Sequence, residues 1–143
     1  MKMSVNVSTK WDGNTFRSTI IPKVEYRSVR EAALFCQGQA VLLCPVDKGR
    51  LRGSIGVKMA GQALIKNSES GKAQAEDFIQ EEPEKNVAHV GTNVEYSVFQ
   101  EFGTQKMPAQ PYLRPAADLT EGKALTICER AGKAEFENYR GIE

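Results

Sequence analysis

The sequence predicts an α+β domain: a small antiparallel sheet with a long hairpin insertion, packed against a long helix in the N-terminal half and a C-terminal helix. Three observations predict it. A helical stripe of apolar residues spans Glu25 to Cys44, short strand-like segments follow it, and a second long helix-compatible stretch closes the chain. At 143 residues, 41% of them hydrophobic, the chain suits one domain over 1–143 with a real core.

Each element has its own signal. Val5 and Val7 alternate with polar residues over Met3–Ser8, a possible short strand, and Trp11-Asp12-Gly13-Asn14 reads as a turn. Phe16, Ile20, Ile21 and Val24 fall at near-helical spacing, with Pro22 in a first turn or at a kink. In the long helix Val29, Ala32, Ala33, Cys36, Ala40, Leu43 and Cys44 follow the i, i+3, i+4, i+7 pattern, and Phe35, Val41 and Leu42 widen it. Pro45 ends it, because the residue before proline is pushed out of the helical region. Val46 to Gly53 reads as a loop leading into a strand from Ser54 to about Met59, with Ala63–Lys66 as extension or partner. The polar, acidic stretch 67–86 has little to bury apart from Phe78 and Ile79 and is expected to be a long exposed, mobile hairpin loop.

A strand over Val87–Thr92 follows. Glu95–Phe102 then reads as a short helix with Phe102 as a buried anchor and Gly103 as its stop. Three prolines, Pro108, Pro111 and Pro115, force an extended segment, and Pro115 opens a last helix running to about Tyr139. The expected packing face of that helix is Ala117, Ala124, Cys128 and Ala131, with Leu125 and Ile127 beside it.

Composition excludes several function classes. No apolar run approaches the roughly 20 residues a membrane span needs, and the N-terminus lacks a hydrophobic signal region, so a cytoplasmic location is expected. Cys36, Cys44 and Cys128 are odd in number, have no C-x-x-C spacing and sit among apolar neighbours, so they read as free core thiols. His89 is the single histidine and stands in a strand-like segment without metal-ligand partners. No nucleophile elbow or Cys-His pair is recognisable. Gly49-Arg50-Leu51-Arg52-Gly53 lacks the Gly-Lys-Ser/Thr ending of a P-loop. Catalytic, cofactor-binding and metal-binding residues are therefore none, and the chain reads as no enzyme. Charge is uneven: residues 1–60 hold ten Lys/Arg against four Asp/Glu, and residues 61–103 hold three against eight. A basic end and an acidic middle suit association of identical subunits.

Two segments stand out together: Pro45-Val46-Asp47-Lys48-Gly49-Arg50-Leu51-Arg52-Gly53-Ser54-Ile55, and Val90-Gly91-Thr92-Asn93-Val94-Glu95-Tyr96 continuing through Glu101-Phe102-Gly103-Thr104 to Pro108-Ala109-Gln110-Pro111-Tyr112-Leu113-Arg114-Pro115-Ala116. In order and spacing they resemble the tail-component family of lambda-like long-tailed bacteriophages, whose members act at the neck as tail-completion or head–tail joining proteins. Lys48 stands where that family usually has Thr, Ser97-Val98 replaces a common Ala-Pro pair, and the insertion around 68–85 is longer than usual.

The resemblance implies a virion structural protein of a phage or prophage, located at the head–tail junction after assembly in the host cytoplasm. It implies a homo-oligomeric ring between portal or head-completion proteins and tail terminator or tail tube proteins, with at most transient, non-specific DNA contact and no membrane. Asp47, Gly49, Leu51, Gly91, Thr92, Tyr96, Phe102, Gly103 and Pro111 would be structural turn residues of the motifs, with Asp47 accepting bonds from the amides that follow it. Arg50, Arg52, Glu101, Thr104, Gln105, Lys106, Met107 and Arg114 would be candidate subunit-interface residues. Two alternatives stay open: a non-specific nucleic-acid-binding module using Lys10, Arg17, Lys23, Arg27, Arg30, Arg50 and Arg52, and a small hydrolase with a pocket around His89.

Overall fold

A computed structural model describes residues 13–140; the expected strand over Met3–Ser8 and the start of the Trp11–Asn14 turn lie outside them. The N-terminal helix begins well before Glu25. A single turn, Gly13–Thr15 (α1), runs through a π-helical segment, Phe16–Ile20, into Ile21–Leu43 (α2), with helical backbone at each junction. Pro22 explains the π segment. In a regular helix its ring would press on the carbonyl four residues back, and it has no N–H to offer there. The turn widens just before it, so that the Ile21 N–H donates to the Phe16 carbonyl. Pro45 stops α2 as expected, leaving Cys44 extended at φ −66° and ψ 125°.

Beyond the Gly49 turn the chain departs from expectation. Arg50–Ser54 (α3) is a short helix where a loop was expected, and the first strand starts later, at Gly56–Met59 (β1). Two polar side chains satisfy this helix from outside its own ladder. Ser54 Oγ donates to the Leu51 carbonyl at 2.7 Å. Asn67 Nδ2 donates to the Arg52, Gly53 and Ile55 carbonyls at 3.0, 3.3 and 2.8 Å. Terminal carbonyls that the helix itself cannot pair are thus taken up by a residue from across the sheet.

β1 is the central strand of three. Ile65–Lys66 (β2) and Ala88–Gly91 (β3) flank it, both antiparallel, in the order β2-β1-β3. Val57 pairs with Val90 and Met59 with Ala88, and this face packs on Ala33 and Val29 of α2. Gln37, a buried polar residue of α2, bridges the sheet's end by donating to the Ile55 and Ile65 carbonyls at 3.0 and 3.1 Å.

The opposite face is built differently. Gly56 and Gly91 are paired in register there, and the missing side chains make room for the insertion. A Cβ on Gly56 would stand 3.1 Å from Leu64 Cδ1 and 3.4 Å from Phe78 Cδ1, and one on Gly91 would stand 3.6 Å from Ile79 Cδ1. The first half of the 67–86 stretch is therefore packed, contrary to the exposed loop expected. It forms two 3₁₀ turns, Ser70–Lys72 and Ala75–Asp77, and then buries Phe78. Lys66 Nζ lies 4.8 Å from the centre of the Phe78 ring. From Gln80 to Val87 the chain is exposed, apart from Pro83.

Ser97–Phe102 (α4) and Leu113–Arg140 (α5) complete the fold. α5 runs antiparallel to α2: the Phe16 and Phe136 rings lie 5.4 Å apart, Arg27 pairs with Glu135 and Arg130 with Glu31, each at 3.0 Å, and Ala40 meets Tyr112 and Ala116 in the core. The packing face of α5 is Ala116, Ile127 and Ala131. This is rotated by about one residue from the face expected, which leaves Ala117 and Cys128 exposed and Leu125 turned fully outward. Leu42 and Leu43, expected on the α2 stripe, are exposed as well.

Phe78 is the hydrophobic anchor of the insertion. Phe78→Ala should lower the free energy of unfolding by about 3–5 kcal/mol, the usual range for emptying a buried phenylalanine site. Urea denaturation followed by circular dichroism measures this; a loss under 1 kcal/mol would mean the insertion is not seated on the sheet.

Candidate subunit interface

The two motif segments lie side by side although 34 residues separate them in the chain. Ser54 and Thr92 share a hydroxyl–hydroxyl hydrogen bond. Thr92 Oγ1 also accepts the Val94 amide at 3.1 Å, which turns the chain from β3 toward α4. Leu51, Ile55 and Val94 enter one core cluster with Ala40, Cys44 and Tyr112. Asp77 locks the arrangement from the insertion. Its buried carboxylate takes two bonds from Arg50, at 2.9 and 2.6 Å, and one from the Gln74 amide, at 2.9 Å. Its carbonyl accepts the Asn93 amide at 2.8 Å. The bonds from Arg50 hold the Asp77 carboxyl below its ordinary pKa, against the opposing effect of burial.

Glu101 is a second buried carboxylate with three hydrogen bonds, all of them from backbone amides. Tyr112 stands at the N-terminal boundary of α5 and has no side-chain oxygen placed to cap it, and Leu113 and Arg114 follow with unpaired amides. The Glu101 carboxylate takes all three: Oε2 accepts from Tyr112 at 2.8 Å and Leu113 at 3.0 Å, and Oε1 accepts from Arg114 at 2.8 Å. Pro115 has no N–H, and the Ala116 amide already reaches the Tyr112 carbonyl. Every donor at the start of α5 is thus accounted for. The negative charge also faces the positive end of the helix dipole. Burial alone would raise the Glu101 pKa, but the three amides outweigh it and leave the pKa below its ordinary value.

The turn between α4 and α5 brings Glu101 into place. Gly103 has φ +75° and φ/ψ open only to glycine; a Cβ there would lie 2.6 Å from the Ala109 nitrogen. Thr104 and Met107 exchange backbone hydrogen bonds at 2.8 and 3.3 Å, and the Gln110 amide returns to the Gln100 carbonyl at 2.8 Å. The extended segment with Pro108 and Pro111 thus folds back along α4, whereas Pro115, expected to open the last helix, lies within α5, which begins two residues earlier at Leu113.

The expected site residues divide into two sets. Gly49 (φ +79°), Leu51, Gly91, Thr92 and Gly103 hold the frame. Glu101, expected on the interface, is buried and belongs with them. Arg50 and Arg52 are engaged within the chain, Arg50 with Asp77 and Arg52 with Glu69 at 3.4 Å. Asp47 is exposed, and among the described residues no amide of its turn donates to it; Gly49 makes the turn by its backbone alone. Phe102 is 71% exposed, the reverse of the buried anchor expected. Val98 and Phe99 also point outward, and Tyr96 does so in part. Pro111, Thr104, Gln105, Lys106 and Arg114 are exposed and Met107 is half-buried, so this turn offers a polar rim beside the apolar face of α4. An open groove of about 410 Å³ runs along that face, lined by Cys36, Val90, Val98, Phe102, Leu113 and Ala117.

Little here is arranged for chemistry. The shifted carboxylates Asp77 and Glu101 are occupied by Arg50 and by backbone amides, and His89 stands opposite Lys58 in the sheet register. Burial pushes the Cys44 thiol up to about 11, so it stays protonated at neutral pH. Among the described residues no cluster of His, Cys, Asp or Glu is set to hold a metal ion, and no helix is long and apolar enough to cross a membrane. Of the basic residues that would serve nucleic acid, Arg27, Arg50 and Arg52 are in ion pairs, and Lys10 lies outside the described residues. Comparison of the chain with protein-family models, with curated proteins and with solved structures finds no match.

Glu101→Ala should lower the free energy of unfolding by about 2–3 kcal/mol, because three amides at a helix start, one buried and two part-buried, lose a charged acceptor. The pH dependence has a definite sign. The folded pKa of Glu101 is depressed, so its stabilisation is complete above the ordinary value of 4.5 and is lost as pH falls through the lower folded value. Glu101→Gln should therefore show a shallower loss of stability below pH 4.5 than the parent chain in urea titrations; identical acid limbs would refute the cap.

Proposed function

We propose that this chain is a structural virion-assembly protein of a phage or prophage that forms a homo-oligomeric ring at the head–tail junction, joining head-side to tail-side components, and that it is not an enzyme. The observation that carries the reading is the ordered run of turn motifs over 45–55 and 90–116, whose buried members form a single braced unit. That unit presents the apolar face of α4 outward beside an exposed polar turn. A helix of six residues that turns Val98, Phe99 and Phe102 to solvent fits an assembly subunit better than a lone domain, since contiguous exposed apolar surface marks places of association. The division of labour also fits. Glu101, Asp77 and Gly103 make the presenting element rigid, so little ordering entropy is lost when a neighbour docks.

The partners in this reading are portal or head-completion proteins on one side and tail terminator or tail tube proteins on the other. DNA passes through such a ring with transient, sequence-independent contact. Deleting the gene from the phage that carries it should yield filled heads and separate tails in the lysate, with joined particles restored by the gene supplied in trans. Normal infectious particles from the deletion strain, counted by plaque assay and seen by electron microscopy, would overturn the neck assignment.

A further inference from the structure

We infer that each subunit receives, along the outer edge of β3, the segment Met3–Ser8 of a neighbouring copy as a fourth strand. This deepens the ring reading, on which it rests for the existence of an assembly. Two features of the fold meet at one place. The order β2-β1-β3 leaves β3 with no strand on its outer side among the described residues. Every second residue of such an edge turns its N–H and C=O away from the sheet. The apolar groove of about 410 Å³ meets that strand at Val90, and Cys36 of α2, Val98 and Phe102 of α4 and Leu113 of α5 complete its walls. A sheet edge bordered by an apolar trough suits an extended segment, which pairs its backbone with the edge and sets alternate side chains in the trough.

The chain itself carries a segment of that kind. Over Met3–Ser8, outside the described residues, Met3, Val5 and Val7 alternate with Ser4, Asn6 and Ser8. Extended, this sequence has one apolar and one polar side. None of these residues is charged, so seating them in an apolar groove takes no ion out of water. Reach decides which copy supplies the segment. Val5 and Val7 stand eight and six residues before Gly13, and a fully extended chain carries them at most about 28 and 21 Å from it. Cys36 lies 23 residues beyond Gly13 along the continuous helix, roughly 33 Å at the helical rise. A subunit's own Val5 and Val7 therefore fall short of its groove, and a neighbour's are not bound by that limit. The contact is heterologous, one copy's segment on the next copy's edge, the kind that generates rings when the rotation closes. It also covers Val98 and Phe102, which the isolated subunit leaves exposed.

One-sided variants test this. Val5→Asp with Val7→Asp disables the donor segment, and Val98→Asp with Phe102→Asp charges the acceptor groove. Positions 98 and 102 are exposed, and circular dichroism should show both chains folded. Each alone should be monomeric by analytical ultracentrifugation at concentrations where the parent chain associates. Mixed in equal amounts they should form a discrete heterodimer, since each retains the half that the other lacks. A fluorescent peptide of residues 1–12 should bind the donor-disabled chain in an anisotropy titration. Its affinity for the groove variant should be lower by roughly tenfold or more, as the loss of one buried aromatic contact implies. A parent chain that stays monomeric at millimolar concentration would overturn the inference, as would a donor-disabled chain that associates like the parent. That second result, with unjoined heads and tails from the gene deletion, would remove this contact and keep the neck reading. A heterodimer from the mixture, with normal particles from the gene deletion, would keep this contact and remove only the neck reading.

Discussion

A carboxylate placed where a helix begins can be worth more than any cap the helix supplies for itself, and the C-terminal half of this fold depends on one. α5 starts without Ser, Thr, Asp or Asn at its boundary, after a stretch that Pro108 and Pro111 keep from being helical. Its first amides would lack acceptors, the Tyr112 amide in the core and those of Leu113 and Arg114 part-buried. Glu101 reaches them from another helix, across a turn that only a glycine at position 103 can make. The direction of α5 follows from this contact, and so does the identity of its packing face. Once Tyr112 is pinned in the core and the helix starts at Leu113, helical geometry brings Ala116, Ile127 and Ala131 onto α2 and turns Leu125 away.

The sheet needs a comparable external brace. Three short strands, one of only two residues, form a marginal sheet. α2 covers one face through Val57, Met59, Val90 and Ala88. The insertion covers the other, over the paired glycines. Asn67 caps α3 and Asp77 holds Arg50, so one strap ties the helix, the sheet and the β3–α4 turn together. Surface ion pairs such as Arg27–Glu135 add little by comparison, because solvent screens them.

The α+β class, the two long helices, the antiparallel strands and the stops at Pro45 and Gly103 were legible in the sequence, because each follows from local rules of periodicity or of backbone sterics. What was not legible depends on contacts between distant segments. The 67–86 stretch looks unable to bury itself, since its two apolar residues are few; their destination is a pair of glycines that lie 35 residues apart and meet only in the sheet. Phe102 and Glu101 exchanged roles for a similar reason. Spacing alone assigns the aromatic to the core and the carboxylate to solvent. Only the uncapped start of α5, visible as Tyr112 followed by Leu113, signals that a buried acceptor must come from elsewhere. Gln37 likewise reads as an ordinary helix residue until the ends of two strands are seen to need a donor.

The reversal at Phe102 also separates stability from association in one short helix. α4 has few positions, and its buried one is a glutamate, so it contributes little apolar burial to the monomer. Selection for monomer stability alone would favour a polar residue at position 102 and at positions 98 and 99, since exposed apolar side chains invite aggregation and gain no packing. Their presence beside a rigid cap is consistent with a surface completed by a neighbour. Rigidity matters to that inference. An exposed phenylalanine on a loose loop could fold back on its own chain, whereas α4 is held at one end by Glu101 and at the other by the Val94–Ser97 turn. The same bonds that stabilise α5 fix α4 beside the open groove it borders.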